Sequence, residues 1–161
     1  MPDIVTRQVS REVPFAGAEG KAAYWLVEVT PSSGGEGQPV HRMNFARCEG
    51  HLSVRELLAL LAMIDMDRDG GPDLPTLWDM RDHDFSQVSA NFARALAYAL
   101  GKVPERVGTR RGFLVNDVDG YATMRLFQQV VSGYGIDSED VFLVSYDAEE
   151  VLDWLCEAGG P

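Results

Sequence analysis

The chain has 161 residues, 45% hydrophobic and 24% charged, with a formal net charge of −11. That length suits one domain with a substantial core, and the negative charge argues against nucleic acid or an anionic membrane as primary partner, leaving a basic protein surface or a cation. The two cysteines, Cys48 and Cys156, form no paired motif, which argues against a disulfide framework or a zinc site; no run approaches the ~18 apolar residues of a membrane span, and the opening residues lack an apolar signal core, so a cytoplasmic protein is expected.

Ile4 to Val13 alternates without a clean face and reads as an edge strand or an irregular lead-in. Ala22 to Val29 sets Tyr24, Leu26 and Glu28 against Trp25, Val27 and Val29, a strand with both faces largely covered. The Gly- and Ser-rich stretch Pro31 to Pro39 reads as a hairpin loop, and Val40 to Ala46 returns as the partner strand. Apolar and aromatic residues near Tyr24 and Trp25 are expected at the surface, and a homodimer is predicted from them.

The period then changes. Ser53-Val-Arg-Glu56 is a capping box, and Leu57, Leu58, Leu61 and Ile64 behind it form a helical apolar stripe. Asp65 to Pro75 ends that helix, and the central strand Thr76 to Met80 follows. A second helix runs from about Ser86 to Leu100, burying Val88, Phe92, Leu96 and Ala99; Gly101 closes it and Pro104 prevents a restart. Gly112 to Asn116 is a short buried strand, after which Asp119 caps a helix carrying Met124, Phe127, Val130 and Val131. Asp140 to Ser145 forms the last strand, and Asp147 caps a final helix whose Val151, Leu152, Trp154 and Leu155 dock before Gly159.

Three consecutive strand-then-helix units require parallel strands with right-handed crossovers. The expectation is a single α/β domain over 1–161. Antiparallel strands in 1–49 lead into a mostly parallel sheet of about five strands, with about four helices, completed by three units in 50–158.

Asp65-Met-Asp67-Arg-Asp69-Gly70 reproduces the first half of an EF-hand calcium loop. The twelfth position falls on Thr76, which cannot supply two carboxylate oxygens, and the eighth on Pro72, which has no amide to donate. The plain alternative is an acidic, solvated turn. At the carboxyl ends of the strands stand Asp79, Asp82, Asp84, Asp117, Asp119 and Asp147. Of these, Asp79, Asp82 and Asp117 suit a divalent metal for phosphoryl transfer. Yet Asp84 (or Ser86), Asp119 and Asp147 also sit where N-caps belong, and neither Lys21 nor Lys102 is near this rim to clamp a phosphate.

His41, His51 and His83 are scattered, with His83 alone in the rim loop. No nucleophile with its base can be assigned, so neither a catalytic residue nor a cofactor is expected. Lys102, Arg106, Arg110 and Arg111 make a small basic loop, read as solubility or as half of a self-contact. Ser86 and Ser89 are helix caps first, and also sites where phosphorylation has leverage over a helix terminus.

From Gly50 onward the order of features resembles the STAS-like superfamily, bacterial domains similar to the sporulation anti-sigma factor antagonist and to the sulfate-transporter cytoplasmic domain. The likeness rests on Gly50-His-Leu-Ser-Val-Arg-Glu-Leu, Leu77-Trp-Asp-Met-Arg81, Gly112-Phe-Leu-Val-Asn-Asp117 and Val141-Phe-Leu-Val144 with the closing Glu149 to Leu155. It implies about five strands and a protein-binding or regulatory role without catalysis. In the antagonist branch a phosphorylatable serine follows an aspartate after the central strand. Here Asp84-Phe85-Ser86 has a phenylalanine inserted and no glycine behind the serine, and Asp79 with Arg81 reads as an intra-loop ion pair or a partner contact. The expected recognition surface, for a protein partner or a small ligand, is therefore Asp79, Arg81, Asp82, His83, Ser86, Ser89, Asn116 and Asp117, with no metal.

Overall fold

The computed structural model describes residues 7–31, 37–136 and 138–157. Its strands are β1 (Arg7–Gln8), β2 (Val13–Ala16), β3 (Glu19–Val29), β4 (His41–His51), β5 (Thr76–His83), β6 (Arg111–Leu114) and β7 (Phe142–Ser145). Four helices of ten or more residues accompany them, α1 (Val54–Asp65), α2 (Ala90–Leu100), α4 (Val118–Ser132) and α6 (Ala148–Glu157), with single turns α3 (Pro104–Val107) and α5 (Ser138–Val141). The strand order is β1-β3-β4-β5-β6-β7, with β2 also paired to β3. Because β1, β2 and β4 are each antiparallel to β3 while β4 to β7 are mutually parallel, β3 alone runs against the other six.

The α/β class and the mostly parallel sheet are as expected, but the sheet has seven strands rather than about five. The two additions, β1 and β2, are short edge strands in a stretch whose alternation is poor. Pro14 in β2 is tolerated because an edge strand can forgo a ladder donor. Residues 4–6 of the expected lead-in, 32–36 of the hairpin loop and Gly159 lie outside the described residues.

The monotonic order β4-β5-β6-β7, connected by right-handed crossovers, forces α1, α2 and α4 onto one face. That face buries Leu60, Trp78, Met80, Ala97, Phe113 and Phe127, among others. No strand follows α6 within the described residues, and it covers the opposite face, where Trp25, Phe45, Leu77 and Leu114 meet Val151, Leu152 and Leu155. Close seating of α6 depends on Gly112, where a Cβ would stand 2.2 Å from Val151 Cγ1. Tyr24 and Trp25, expected at the surface, are buried; the Trp25 ring lies 4.6 Å from that of Phe45. The homodimer predicted from them loses its basis, because β3 is covered on both faces.

The capping box forms as read: the Glu56 amide donates to Ser53 Oγ (3.3 Å) and the Ser53 amide to Glu56 Oε2 (2.8 Å). The Ser53 and Ala18 amides that bind the Glu56 carboxylate hold its pKa below the ordinary value. The stripe of α1 is Leu57, Leu60 and Ile64, with Leu58 and Leu61 half-buried. α2 starts at Ala90 rather than Ser86, since Ser89 supplies the cap (Phe92 amide to Ser89 Oγ, 3.2 Å). Its buried residues are Ala93, Ala97 and Leu100, one position on from the expected stripe. Pro104 opens α3 instead of preventing a restart, since proline is well suited to the first turn. Asp117, not Asp119, caps α4.

Candidate binding rim and the cavity beneath it

β5 runs to His83, three residues beyond the expected Met80, because the long strand β4 continues to pair with it up to Gly50 opposite His83. Arg81 therefore lies in the same strand as Asp79, which is 3% exposed. Arg81 grips it twice, Nε to Oδ1 (2.9 Å) and Nη2 to Oδ2 (2.8 Å), and Arg47 Nε lies 3.8 Å from Oδ2. Burial opposes the Asp79 charge, but the bonds and charge of Arg81 and the charge of Arg47 outweigh it, so its pKa lies below the usual carboxylate value. Its hydrogen bonds to Asp79 in turn raise the pKa of Arg81. The pair is thus an intra-strand clamp rather than an intra-loop one, as a charged run was misread for the end of a strand.

The register of β4 against β5 shifts between Arg47 and Glu49, so three steps along β5 match two along β4. Such a bulge re-aims the side chains beyond it. His83 consequently joins Met80 in lining the helical side. It is 7% exposed, and its Nδ1 has no hydrogen-bond partner. The three histidines are not all scattered, because the register brings His51 and His83 together with ring centroids 6.4 Å apart; Phe85 meets the edge of His83 at 4.8 Å. Burial lowers the His83 pKa to about 4 and His51 adds to the shift, while Asp84 and the Gly50 carbonyl act the other way.

Three loops converge beyond the strand ends. In the first, the Ser86 amide donates to Asp84 Oδ1 (2.9 Å), and the Ser86 hydroxyl and amide hold the Asp84 pKa below its usual value. Phe85 from this loop packs on the first turn of α4, where a Cβ at Gly120 would lie 2.9 Å from the ring. The third loop joins through Tyr146, whose ring stacks on Tyr121 at 5.2 Å. Asp82, Ser86, Ser89, Asn116 and Asp117 are all exposed at this end, as are Val118 (75%) and Tyr146 (51%). The structure thus gathers most of the expected rim, buries Asp79 and His83, and adds Phe85, Val118, Tyr121 and Tyr146. The one sequence signal for these additions was Gly120, a glycine inside a helical pattern, which marks a close approach.

Beneath the rim, between α2 and the sheet, lies a cavity of about 80 Å³. Trp78, Met80 and Phe113 line it from the strands, Phe92 and Leu96 from α2, and Met124 from α4. Phe85, Val88, Phe92 and Leu96 are half-buried at its border. Arg111 also lines it and is buried, with Nη1 donating to the Thr109 carbonyl (3.0 Å), Nη2 to the Arg106 carbonyl, and the guanidinium over the Phe142 ring. Burial and the charge of Arg106 lower the Arg111 pKa to about 9, with Asp65 opposing.

Arg106 is buried as well and clamps Asp65, with Nε 3.0 Å from Oδ2 and a second bond from Nη2 to Oδ1. The basic loop is therefore partly structural rather than wholly solvated. Asp67 Oδ1 accepts from the Asp69 amide (2.9 Å), so the acidic turn is organised internally. Among the described residues, no group of three His, Cys, Asp or Glu side chains is placed to hold a metal ion, and no helix is long and apolar enough to cross a membrane. Burial raises the pKa of Cys48 to about 12 and that of Cys156 to about 11. In comparisons with known proteins, no family model, curated protein or solved structure matches this chain.

Proposed function

We propose that the chain is a non-catalytic, cytoplasmic regulatory domain of the STAS-like kind that recognises a basic protein surface at the rim. The observation that carries this reading is that Val118 and Tyr146, the latter stacked on Tyr121, are exposed at the carboxyl ends of β6 and β7, at the same end of the sheet as Asp82, Asp84, Asp117, Asp119 and Asp147. An apolar and aromatic centre within a charged border is the usual anatomy of a recognition patch. Carboxylates in that border favour lysine or arginine on the partner and speed the encounter. The resemblance in strand and helix order supports a regulatory role. Ser86 lies exposed in the first rim loop, where added phosphate would confront those carboxylates and weaken partner binding.

The test compares the native chain with a Val118→Asp, Tyr146→Ala variant as bait in lysate of the source cell. A protein held by the native chain, released by salt and lost on the variant is the expected result. Identical recoveries, or turnover of a phosphoester with magnesium, would overturn the reading.

A further inference from the structure

The α6 side of the sheet holds a second depression, on the face opposite the cavity under α2. We propose that it binds a small aromatic monocarboxylate, with the carboxylate on the Arg47 guanidinium and the ring lying over Ala23.

The strands make the space. Pro14 pairs with Ala23 and Ala23 with Arg47, while Ala16 pairs with Lys21 and Lys21 with Glu49. Side chains two residues apart share a face of a strand, and Ala23 and Trp25 belong to the cluster under α6. That helix packs chiefly on β5, β6 and β7, which leaves the same face open at a cleft over β2, β3 and β4. Ala23 contributes only a methyl group between the longer Lys21 and Trp25, and the space above it amounts to about 390 Å³. That is within the range of small-molecule sites and well above the roughly 150 Å³ that admits benzene. The floor of Pro14, Ala23 and Trp25 is an apolar sheet surface, which a planar ring covers more fully than a flexible chain does.

Charge selects the other half of the ligand. Glu12, Lys21, Arg47 and Glu49 all line the cleft. Lys21 and Glu49 neutralise each other at 2.9 Å. Arg47 is not matched in this way. Its Nε lies 3.8 Å from Asp79 Oδ2, beyond hydrogen-bond range, and both Asp79 oxygens already accept from Arg81. Two guanidiniums therefore share one carboxylate, a local excess of positive charge in a chain of net charge −11. Among the described residues the Arg47 nitrogens have no hydrogen-bond partner, yet the buried unpartnered side-chain atoms belong to Trp25, His51 and His83 alone. The Arg47 donors are thus open to solvent, on a half-buried side chain that borders the cleft. A planar fork with free donors matches a carboxylate bidentately. Glu12, Glu49 and Asp79 oppose a second negative charge, which favours a monoanion over a phosphate.

Benzoate is the probe, with benzamide and phenyl phosphate as comparisons, read by chemical-shift titration of the native chain at neutral pH. Benzoate should move the Ala23 and Trp25 signals and saturate them at about millimolar concentration. Benzamide, which has the ring without the charge, and phenyl phosphate, which carries a second charge, should each bind at least about tenfold more weakly. Arg47→Gln should weaken benzoate by about tenfold, a charge-assisted hydrogen bond's worth. Ala23→Leu, which fills the cleft and alters no charge, should abolish the saturable shift at Trp25. Each variant's own thermal midpoint reports whether it folds. No saturation by benzoate, equal binding of benzamide or phenyl phosphate, or an unchanged affinity in either folded variant would each overturn the proposal. None of these results bears on the rim, whose test uses Val118 and Tyr146.

Discussion

Acidification should expose the cost of burying His83. Its pKa is about 4 in the folded chain against about 6.5 for an unperturbed histidine. Between those values the unfolded chain takes up a proton that the folded one refuses, so stability is full above about pH 6.5 and falls as the pH drops. Linkage gives a loss of about 2 kcal/mol by pH 5 and about 3 kcal/mol by pH 4, after which this contribution levels off. Asp79, Glu56 and Asp84 have lowered pKa values, and their contributions disappear only as the pH falls below the ordinary carboxylate range. The window between pH 6.5 and 4.5 therefore isolates the histidine among the groups with shifted pKa values. Urea unfolding of the native chain and of His83→Leu, repeated across that window, is the assay. The native chain should lose stability with acid while the variant stays flatter by about 2 kcal/mol at pH 5. Parallel curves for the two proteins would refute the burial argument, and with it the bulge that directs His83 inward.

Asp65→Asn leaves the buried Arg106 beside the equally buried Arg111 without its carboxylate. Breaking such a pair costs about 3–5 kcal/mol, which in a domain of this size lowers the thermal midpoint by roughly 6–20 °C. A change below about 1 kcal/mol would show that the clamp contributes little, and a calcium-dependent midpoint in the native chain would restore the metal reading of that turn. Gly112→Ala drives a Cβ into Val151 and should cost about 1–3 kcal/mol in urea unfolding, partly recovered by adding Val151→Ala. Full native stability in the single variant would mean that α6 is not seated against β6 as described.

Strands and caps were most legible where one residue type has one local use. Ser53 and Glu56 satisfy each other's amides whatever the rest of the chain does, and the box was visible in four letters. The parallel units followed from their spacing, since a strand-helix-strand connection has little topological freedom. The rim was harder. Arg81, Asp82 and His83 have the composition of a loop, yet they remain in β5 because the partner strand is long enough to hold them. Asp79 was found as half of an ion pair, but the second cation beside it, Arg47 from β4, is announced by no local pattern. The approach of Phe85 to Gly120 and of Tyr146 to Tyr121 joins residues distant in the chain, so only the folded sheet reveals them.

The altered phase of α2 and the cavity beneath it have a common physical origin. The helix Ala-Asn-Phe-Ala-Arg-Ala-Leu-Ala-Tyr-Ala-Leu is rich in alanine, so its hydrophobic content alone does not dictate which stripe is buried. It packs chiefly against α4 and buries Ala93 and Ala97; small side chains permit that close approach. The larger Phe92 and Leu96 are left half-buried over the cavity. Turning α2 to bury them fully would move its alanines off the neighbouring helix, exchanging one apolar contact for another. The same alanine-rich composition that moves the buried stripe of α2 by one position thus leaves the cavity between that helix and the sheet.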